Sequence, residues 1–372
     1  MAKNKIKVVI ASVLKPVDDV RAYYKLGLSL AETNKYLVNI IGYPSKNPPS
    51  HPNIKLYALK EFNRTSLKRL TVPFRVAQMI LKVRPSVVIV TTAELLLVMM
   101  PIKILFGIKL IYDVQENTKR NIIWSHQFSL FGRLYGWLQI VAERISKSII
   151  DYYILAEKCY QNELHFLDRA KFTIIENKAL SVFNPDRNVT LSETPLKLLY
   201  IGTISLSYGI NDAISLTKKL NALHVPTTLT VAGHCPDKNL YKSFIDKNYE
   251  WLIKKISTSP IPYPELVKEY KTCHAALVSY KPNPANRDCF PTKIYECLLY
   301  RVPMIMKQDS PWLKVLNNYN AGISINFMSP DPSMLKKLHN NQFYDGINTQ
   351  QWSWEANEHR IVAEAINLVL SK

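Results

Sequence analysis

The residues Asp288-Cys289-Phe290-Pro291-Thr292-Lys293-Ile294-Tyr295-Glu296 decide the fold that this sequence predicts. They follow an apolar segment at 275–279, typical of a buried strand, and a loop rich in Pro and Asn. They open an apolar helix, and the next predicted strand covers residues 302–306. The order strand, loop, helix, strand places the loop at the carboxyl end of a parallel sheet, where open α/β folds bind ligands.

The start of this helix predicts an anion-binding site. The first turn of a helix carries unpaired N–H groups and the positive end of the helix dipole. Lys293 adds a positive charge that we expect to be mobile, and Glu296, four residues after Thr292, shares its face of the helix. A carboxylate accepts hydrogen bonds from sugar hydroxyls. The alternative is an ordinary helix with a surface Lys and a surface Glu.

Length and composition predict two globular domains. The chain has 372 residues, of which 47% are hydrophobic and 21% charged; such a length exceeds one ordinary core, and such a balance excludes a disordered chain. Its five cysteines are scattered, without the spacing of a metal site. An odd number of cysteines, and an N-terminus that leads directly into a strand, favour a cytoplasmic protein without an export signal.

The formal net charge of +19 is concentrated in the first half of the chain. Residues 1–190 contain 28 Lys or Arg and 14 Asp or Glu, so this half carries +14. Such an excess indicates an anionic partner, which includes a membrane surface, a lipid phosphate or a nucleic acid. The chain lacks zinc-finger spacing and RNA-recognition aromatic motifs, which disfavours nucleic acid. The alternative is a solvated basic surface without a partner.

Strands alternate with helices along the first half, which predicts a parallel, doubly wound sheet. The first strand–helix loop, residues 13–17, contains no glycine, and this argues against a dinucleotide cofactor. Residues 87–112 read as strand, buried helix and strand rather than a transmembrane span, because Glu94, Lys103 and Lys109 interrupt them. The predicted strands cover residues 6–12, 38–41, 54–59, 87–90, 109–113, 152–155 and 172–175.

Residues 122–138 combine aromatic and apolar side chains with Arg and His. Trp and Tyr favour the membrane interface, and an amphipathic helix lies in that plane. The alternative is that these aromatic residues face a core or cover an acceptor site.

A polar stretch at residues 176–195 predicts the domain boundary. We expect a first domain at 1–180, a second at 196–350, and a last helix within 351–372 that packs back toward the first domain. In the second half, a strand at 196–201 is followed by Gly202 and Gly209, and a strand at 227–232 ends at Gly233-His234. Glycine lets the backbone turn tightly and approach a ligand, although plain turn chemistry is the alternative at both places.

Taken in order, these features resemble the GT-B glycosyltransferases, and most closely their family four, the retaining nucleotide-sugar enzymes also called group one. The resemblance covers nearly the whole chain. Its most specific part is Pro291-x-Lys293-x-x-Glu296 followed by Val302-Pro303. The other matching segments are Asp19-x-Arg21, Tyr112-Asp113-Val114-Gln115-Glu116, Tyr200-Ile201-Gly202-Thr203 with Gly209, and Val231-Ala232-Gly233.

The resemblance implies an α/β fold of two doubly wound, Rossmann-like domains that face a central cleft. It implies transfer of a sugar from a nucleotide-diphosphate sugar to a glycan or lipid-linked acceptor, with retention of the anomeric configuration. By family habit, the product would be a bacterial surface polysaccharide or a lipid-linked glycan. A lipid-phosphate acceptor would explain the basic first half, so we also expect peripheral contact with the inner face of an anionic membrane. No metal or other cofactor is expected, since helix dipoles and cations stabilise the leaving diphosphate.

The resemblance also implies site residues. Glu296, Asp288 and Lys293 would be catalytic, with Glu296 on the ribose hydroxyls and Lys293 on the diphosphate. The donor side would comprise Gly202, Thr203, Gly233, His234, Arg287, Phe290, Pro291, Thr292, Lys293 and Glu296. The acceptor side would comprise Asp19, Arg21, Gln115 and Glu116.

This sequence departs from the family pattern in the first donor loop, where Thr203 and Tyr208 replace the usual Arg and Lys. The leaving group would lose two cations unless Arg287, Lys281 or Lys293 substitutes. A catalytically silent, nucleotide-sugar-binding GT-B subunit is therefore an alternative, and a sugar-nucleotide epimerase is a less favoured one. Further departures are Asp288 for a common Glu, Gln115 for a common His, and Arg301 for the usual Gly.

Overall fold

The structure, a computed structural model, divides the chain into two compact units. It describes residues 5–60, 67–124, 130–185, 187, 189, 194–340 and 342–371. Unit 1 comprises Met1–Asn177 and Asn357–Lys372, and unit 2 comprises Lys178–Ala356. The first boundary falls at the start of the polar stretch 176–195, and the end of the chain returns to unit 1.

Unit 1 contains a seven-stranded parallel sheet in the order β3-β2-β1-β4-β5-β6-β7. Its central strands are buried on both faces, which explains their continuous apolar sequences. The parallel α/β architecture predicted from the alternation of elements is confirmed. The strands are β1 Ile6–Pro16, β2 Tyr36–Tyr43, β3 Ile54–Ala58, β4 Val87–Val90, β5 Lys109–Val114, β6 Tyr152–Leu155 and β7 Phe172–Ile174.

The helices of unit 1 begin with a π-helix, Val20–Gly27. Asp19 caps this π-helix, because its side chain accepts hydrogen bonds from the backbone N–H groups of Arg21 and Ala22. The α-helices that follow are α1 Leu28–Ala31, α2 Val72–Val83, α3 Glu94–Phe106, α4 Thr118–Trp124, α5 Leu130–Ile145 and α6 Tyr160–Glu163.

Two sequence predictions for unit 1 were wrong in detail. The predicted loop 13–17 is mostly strand, since β1 continues to Pro16 and pairs there with Tyr43. Gly42 permits this pairing, because a Cβ at that position would lie 2.6 Å from the carbonyl oxygen of Lys15. The predicted buried helix is α3, but its last turn is exposed. Part of the aromatic segment, residues 125–129, lies outside the described residues.

Unit 2 contains a six-stranded sheet in the order β10-β9-β8-β11-β12-β13, with all pairs parallel. The chain leaves β8 toward β9 on one side and later leaves β11 toward β12 on the other. The gap between the β8 and β11 connections is therefore the point where strand order reverses, the usual ligand site of such sheets. The strands are β8 Leu196–Ile201, β9 Thr227–His234, β10 Leu252–Ser257, β11 Ala275–Val278, β12 Met304–Lys307 and β13 Gly322–Ile325.

Helices connect the strands of unit 2, and a last helix, α13 Glu358–Leu370, belongs to unit 1. This last helix packs against α1, and its Asn367 accepts a hydrogen bond from Tyr36 at 2.6 Å. Across the described part of the chain, no helix is long and apolar enough to cross a membrane, and no group of His, Cys, Asp and Glu could hold a metal ion. The helices of unit 2 are α7 Ile210–Ala222, α8 Lys238–Ile245, α9 Tyr263–Val267, α10 Thr292–Leu299, α11 Leu313–Tyr319 and α12 Pro332–Asn340.

Candidate functional site

The loops that follow β8 and β11 lie against each other at the point of strand reversal in unit 2. The hydroxyl of Ser279 donates a hydrogen bond to the carbonyl oxygen of Tyr208 at 3.1 Å, and the backbone N–H of Lys281 donates to the carbonyl oxygen of Ser207 at 3.0 Å. Gly209 has a φ of +77°, and a Cβ there would lie 1.8 Å from the Ser279 carbonyl oxygen. The second glycine of the donor loop is therefore required for this close approach.

The carboxyl ends of β8 and β9 meet in the same way. Gly233 has a φ of +150°, and a Cβ there would lie 1.8 Å from the carbonyl oxygen of Gly202. Gly202 itself has a φ of +105°, and a Cβ added there would meet no atom of the described residues within 4 Å. Its neighbour Thr203 is exposed, and the ring of His234 lies 3.2 Å from the carbonyl oxygen of Thr258. The first two predicted donor loops are thus adjacent within unit 2.

Helix α10 begins beside these loops. It starts at Thr292, directly after Pro291, and the positive end of its dipole lies at this first turn, where the sequence predicted an anion site. The backbone N–H of Ile294 donates to the carbonyl oxygen of Pro291 at 2.8 Å. The helix ends through Arg301, whose φ of +56° is the left-handed conformation that glycine adopts most easily. This conformation explains why the resemblance predicts Gly at this position. Arg301 adopts the same conformation, and its guanidinium donates to the carbonyl oxygen of Tyr344 at 2.8 Å.

Lys293 is buried in the first turn of α10, which corrects the expectation of a mobile surface cation. Its side chain is only 5% exposed, and Nζ lies 4.6 Å from the ring centre of Tyr200 and 5.0 Å from that of Tyr280. Burial lowers the pKa of Lys293 to about 8, because desolvation disfavours the ammonium. The aromatic faces offset part of this penalty. An anion near Nζ would restore the ammonium form, so this lysine is suited to an anionic ligand.

Glu296 is also buried, one turn further along α10, among tyrosines. The hydroxyl of Tyr270, in the 3₁₀ turn Lys268–Lys271, donates to Oε2 at 2.8 Å. Burial, and then the charge of Glu296, raise the pKa of the Tyr270 phenol well above its ordinary value. Tyr270 therefore remains a hydrogen-bond donor and fixes the orientation of the carboxylate. The alternative of a surface Glu is wrong.

The loop before α10 leaves its two charged residues at the surface. Arg287 Nε lies 3.6 Å from Asp288 Oδ1, and both side chains are exposed. Phe290 packs on Tyr295 with ring centres 4.5 Å apart, and Trp312 donates to the carbonyl oxygen of Cys289 at 2.8 Å. These contacts hold the backbone of the loop while leaving Asp288 and Arg287 accessible to a ligand.

The cations that were expected to replace the lost Arg and Lys of the donor loop have different surroundings. Lys281, one of these candidates, lies 3.8 Å from one carboxylate oxygen of Asp212, in the first turn of α7, and Lys307, which was not a candidate, lies 3.3 Å from the other. Asp212 thus neutralises part of their charge. Lys293 forms no ion pair with a described residue and contacts aromatic rings instead. Lys293 is therefore the best placed of the candidate cations for a leaving diphosphate.

In unit 1, the acceptor-side motifs form a buried ion pair. Arg21 Nε donates to both carboxylate oxygens of Asp113, at 3.1 and 2.9 Å, and Nη2 donates to Oδ1 at 2.7 Å. Arg21 Nη1 donates to the carbonyl oxygen of Ile175 at 3.1 Å. Both side chains are almost completely buried. This pair joins the π-helix to the end of β5 and to the residue after β7.

The other acceptor-side residues lie around this pair. Gln115 donates to Oδ2 of Asp113 at 2.8 Å and remains partly exposed. Glu116 is exposed and accepts a hydrogen bond from Asn121 at 3.1 Å. Asp19 is occupied as the cap of the π-helix. The acceptor role of Asp19, Arg21, Gln115 and Glu116 stays a prediction, and Glu116 has the most accessible side chain for it.

Sequence patterns located the loops and the helix start but missed the aromatic residues that surround them. Tyr200, which was quoted in a motif without a role, is the penultimate residue of β8. Tyr280 follows β11, and Tyr270 precedes Glu296 by many residues. Tyr280 had a detectable signal, since it is the second residue after a buried strand at the ligand edge of the sheet. Tyr270 had none, because its contact with Glu296 depends on the packing of α10.

Comparisons with known proteins agree with the α/β architecture of the two units. Residues 183–344 match the family model described as "Glycosyl transferases group 1". Sucrose-phosphate synthase from Thermosynechococcus elongatus is 12% identical, with 99% of this chain and 100% of that chain covered and a TM-score of 0.69. Anabaena HepE in complex with UDP-glucose is 12% identical, with 97% and 99% covered and a TM-score of 0.63. No curated protein matches the chain by sequence.

A plant structure shows the same relationship. The catalytic domain of starch synthase IV from Arabidopsis thaliana, bound to ADP and acarbose, is 10% identical, with 99% of this chain and 100% of that chain covered and a TM-score of 0.58. The resemblance inferred from the motifs is confirmed: the chain has the GT-B fold, and residues 183–344 match the group 1 glycosyltransferase model.

Proposed function

We propose that this protein transfers a sugar from a nucleotide-diphosphate sugar to a glycan or lipid-linked acceptor, with retention of the anomeric configuration. The observation that carries the proposal is the first turn of α10, where Lys293 is buried over the rings of Tyr200 and Tyr280 and Glu296 is buried against Tyr270. Anabaena HepE, which shares the fold, is solved with UDP-glucose. By the motif resemblance, the reaction would belong to surface polysaccharide synthesis.

The chemistry of the site fits departure of a diphosphate. The positive end of the α10 dipole and the ammonium of Lys293 would stabilise the negative charge that develops as the glycosidic bond breaks. This charge stabilisation uses no protein-bound metal. The oriented carboxylate of Glu296 would accept hydrogen bonds from the ribose hydroxyls, and the accessible Asp288 would contact the donor sugar.

Unit 1 would supply the acceptor side of the reaction. Glu116 and the partly exposed Gln115 lie at the carboxyl end of β5, a ligand position in open α/β sheets. Arg21 and Asp113 would hold this end of the strand in place through their ion pair. We also propose that unit 1 contacts an anionic membrane, where a lipid-linked acceptor would reside.

A silent binding subunit is the second candidate. It is favoured by Thr203, which is exposed and uncharged where the family usually has Arg. Such a subunit would bind the nucleotide sugar through Lys293 and Glu296 without transferring the sugar.

Thermal unfolding with UDP, GDP, ADP, CMP and dTDP, and with their common sugars, tests the donor site. A ligand that binds only the native state raises the unfolding temperature, so we expect one nucleotide class to do so. We expect Glu296→Ala to weaken its binding by about 1.5–3 kcal/mol, the range for a hydrogen bond to a charged group. Glu250→Ala, at an exposed Glu of unit 2, is the matched control and should leave the affinity unchanged.

Tyr270→Phe separates ligand binding from packing, because it removes the protein partner of Glu296 but keeps the carboxylate. It should weaken nucleotide binding less than Glu296→Ala does. Unchanged nucleotide affinity in folded Glu296→Ala protein would remove Glu296 from the site. Release of nucleotide diphosphate with acceptor would support transfer; binding without release over a broad acceptor panel would favour the silent subunit. Conversion of a free nucleotide sugar without acceptor would indicate the epimerase.

A further inference from the structure

Helix α5 of unit 1 presents an apolar stripe to solvent. Leu134, Trp137 and Leu138 are 61%, 50% and 53% exposed, and Val141 and Ile145 continue the stripe. Their spacing of three and four residues is the pattern by which a helix normally faces a core. The core-facing side of α5 is a different one, formed by Ile140 and by Gly136, whose missing side chain leaves room for Ile122.

The stripe continues onto the neighbouring helix. Ile104, Leu105 and Phe106, in the last turn of α3, are among the most exposed apolar side chains of the described residues. Helix α3 contacts α5 and the 3₁₀ turn Ser146–Ser148 that follows it, and Lys103 forms an ion pair with Asp151. The carboxyl ends of the two helices are therefore adjacent. We call the exposed apolar residues of α3 and α5 the α3–α5 face.

The charges around this face are mostly positive. Residues 67–150 contain 12 Lys or Arg and only four Asp or Glu. Three of the four acids, Glu94, Asp113 and Glu143, are buried, and Glu116 is the exposed one. On α5 itself, Arg133 and Arg144 are exposed beside the apolar stripe, and Lys147 follows it. The outer side of this layer therefore combines apolar side chains with an excess of positive charge, although Asp151 pairs with Lys103 and the charge of Asp168 interacts with that of Lys147.

We propose that the α3–α5 face binds the surface of an anionic lipid bilayer, with α5 lying along the interface. The apolar stripe would enter the boundary between headgroups and acyl chains, with Trp137 at the headgroup level. Arg133, Arg144 and Lys147 would contact anionic headgroups. A second copy of the chain fits less well, since two such faces would bring like charges together. The inference rests on the membrane contact proposed above and is independent of the sugar-transfer chemistry.

Vesicle co-sedimentation tests the proposal with one matched pair of variants. Leu138→Glu places a charge in the stripe, and Leu368→Glu places the same charge at an exposed leucine of α13. Because α13 packs against α1 and right-handed crossovers put α1 on the other side of the sheet from α3 and α5, Leu368 lies away from the face. The wild-type protein should bind phosphatidylglycerol-containing vesicles and should not bind pure phosphatidylcholine vesicles.

We expect Leu138→Glu to weaken vesicle binding about tenfold or more, because the Glu must enter the interface. Leu368→Glu should bind as the wild type does. Arg133→Gln and Arg144→Gln should each weaken binding about fivefold, and less at high salt, as for basic residues near an anionic surface. The nucleotide-dependent thermal shift should persist in all four variants. This would show that the variants fold and that the donor site is independent of the α3–α5 face.

Equal vesicle binding by wild type and Leu138→Glu would overturn the assignment of the face. Failure of the wild-type protein to bind anionic vesicles would overturn it as well. A dimer that forms without lipid and disappears in Leu138→Glu would also overturn it, since the face would then join two copies of the chain. Loss of the thermal shift in the wild type, with vesicle binding intact, would instead count against the donor site alone.

Discussion

Units 1 and 2 both bury charged motif residues at the carboxyl ends of their strands, but the two sets have different partners. In unit 1, Arg21 is bound by the carboxylate of Asp113 and by the carbonyl oxygen of Ile175. In unit 2, Lys293 lies over the rings of Tyr200 and Tyr280 and forms no ion pair with a described residue. The charge of Arg21 is neutralised by direct contact with a carboxylate, whereas Lys293 has no such contact with a described residue and is influenced only over a longer distance by Glu296.

The difference separates structural charges from ligand-binding ones. A buried ion pair with three short hydrogen bonds leaves little electrostatic attraction for a ligand, and it destabilises the fold strongly when one partner is removed. A buried lysine on aromatic faces is penalised by desolvation in the free protein, and an anionic ligand relieves that penalty. We therefore expect substitutions at Arg21 to act mainly on stability and substitutions at Lys293 to act mainly on ligand binding.

The largest expected effect is that of Arg21→Met on unit 1. Removing the guanidinium leaves Asp113 buried and unpaired, which should destabilise the protein by about 3–5 kcal/mol. Urea unfolding at neutral pH measures this change. The control is Arg360→Met, at an exposed i,i+4 pair with Glu364, which should cost less than about 1 kcal/mol.

The double substitution Arg21→Met with Asp113→Leu sharpens this comparison. It removes both charges, so it should be less destabilising than Arg21→Met alone, since no unpaired carboxylate remains. A small effect of Arg21→Met on stability, together with a large loss of acceptor binding, would contradict the structural role and reassign Arg21 to the acceptor site.

The second expected effect concerns the pH dependence of Lys293. Its pKa is lowered to about 8 in the folded protein, while an unfolded Lys titrates near 10.4. The unfolded state therefore binds more protons between these values, and stability rises with pH across this window. The loss of stability that comes from burying the Lys293 ammonium is fully present below pH 8. We expect the wild type to gain about 1 kcal/mol of stability relative to Lys293→Met between pH 7 and pH 9.

The ionisation of Lys293 should affect nucleotide affinity in the opposite way: stability rises with pH, whereas affinity should fall. If phosphate groups contact Lys293, the ammonium is the binding form, and affinity should fall as pH rises through about 8. Lys293→Met should bind nucleotide more weakly at pH 7 and lose this pH dependence. An affinity that is equal in both proteins and independent of pH would place the diphosphate elsewhere and leave Lys293 as a packing residue.

The sequence predicted the central strands of both sheets but missed two edge strands. The central strands are continuous apolar runs because both of their faces are covered. In unit 2, β10 and β13 lie at the two edges of the sheet. The sequence Leu252-Ile253-Lys254-Lys255-Ile256-Ser257 mixes lysines with apolar residues because an edge strand is partly exposed. An exposed edge lacks the apolar run on which the prediction relied.

The same limit applies to the candidate site. Motif spacing located Lys293 and Glu296 at the start of α10, because spacing along a helix is a local property. It gave the wrong environment for both, since the rings that bury them come from Tyr200, Tyr270 and Tyr280 on other elements. Likewise, Asp19 and Arg21 form a visible motif, but the sequence does not show that Asp113 binds Arg21 across 92 residues.

The smallest expected effect is that of Gln115, and it tests the boundary between structural and ligand-binding residues within unit 1. Gln115 donates to Asp113 at 2.8 Å, yet it is partly exposed and stands where the family often has His. Asp113 retains its bonds from Arg21 when this amide is removed, so Gln115→Ala should destabilise the protein by only about 1 kcal/mol. Gln115→Glu should destabilise it more, because two carboxylates would then compete for Arg21.

Urea unfolding measures both changes in stability. Turnover of the donor sugar, measured on the same proteins, shows whether Gln115 also contacts the acceptor. If Gln115→Ala raises the KM for the acceptor and leaves the KM for the donor unchanged, Gln115 belongs to the acceptor side. If the kinetic constants equal those of the wild type and only the small loss of stability is seen, Gln115 is a structural residue like Arg21 and Asp113.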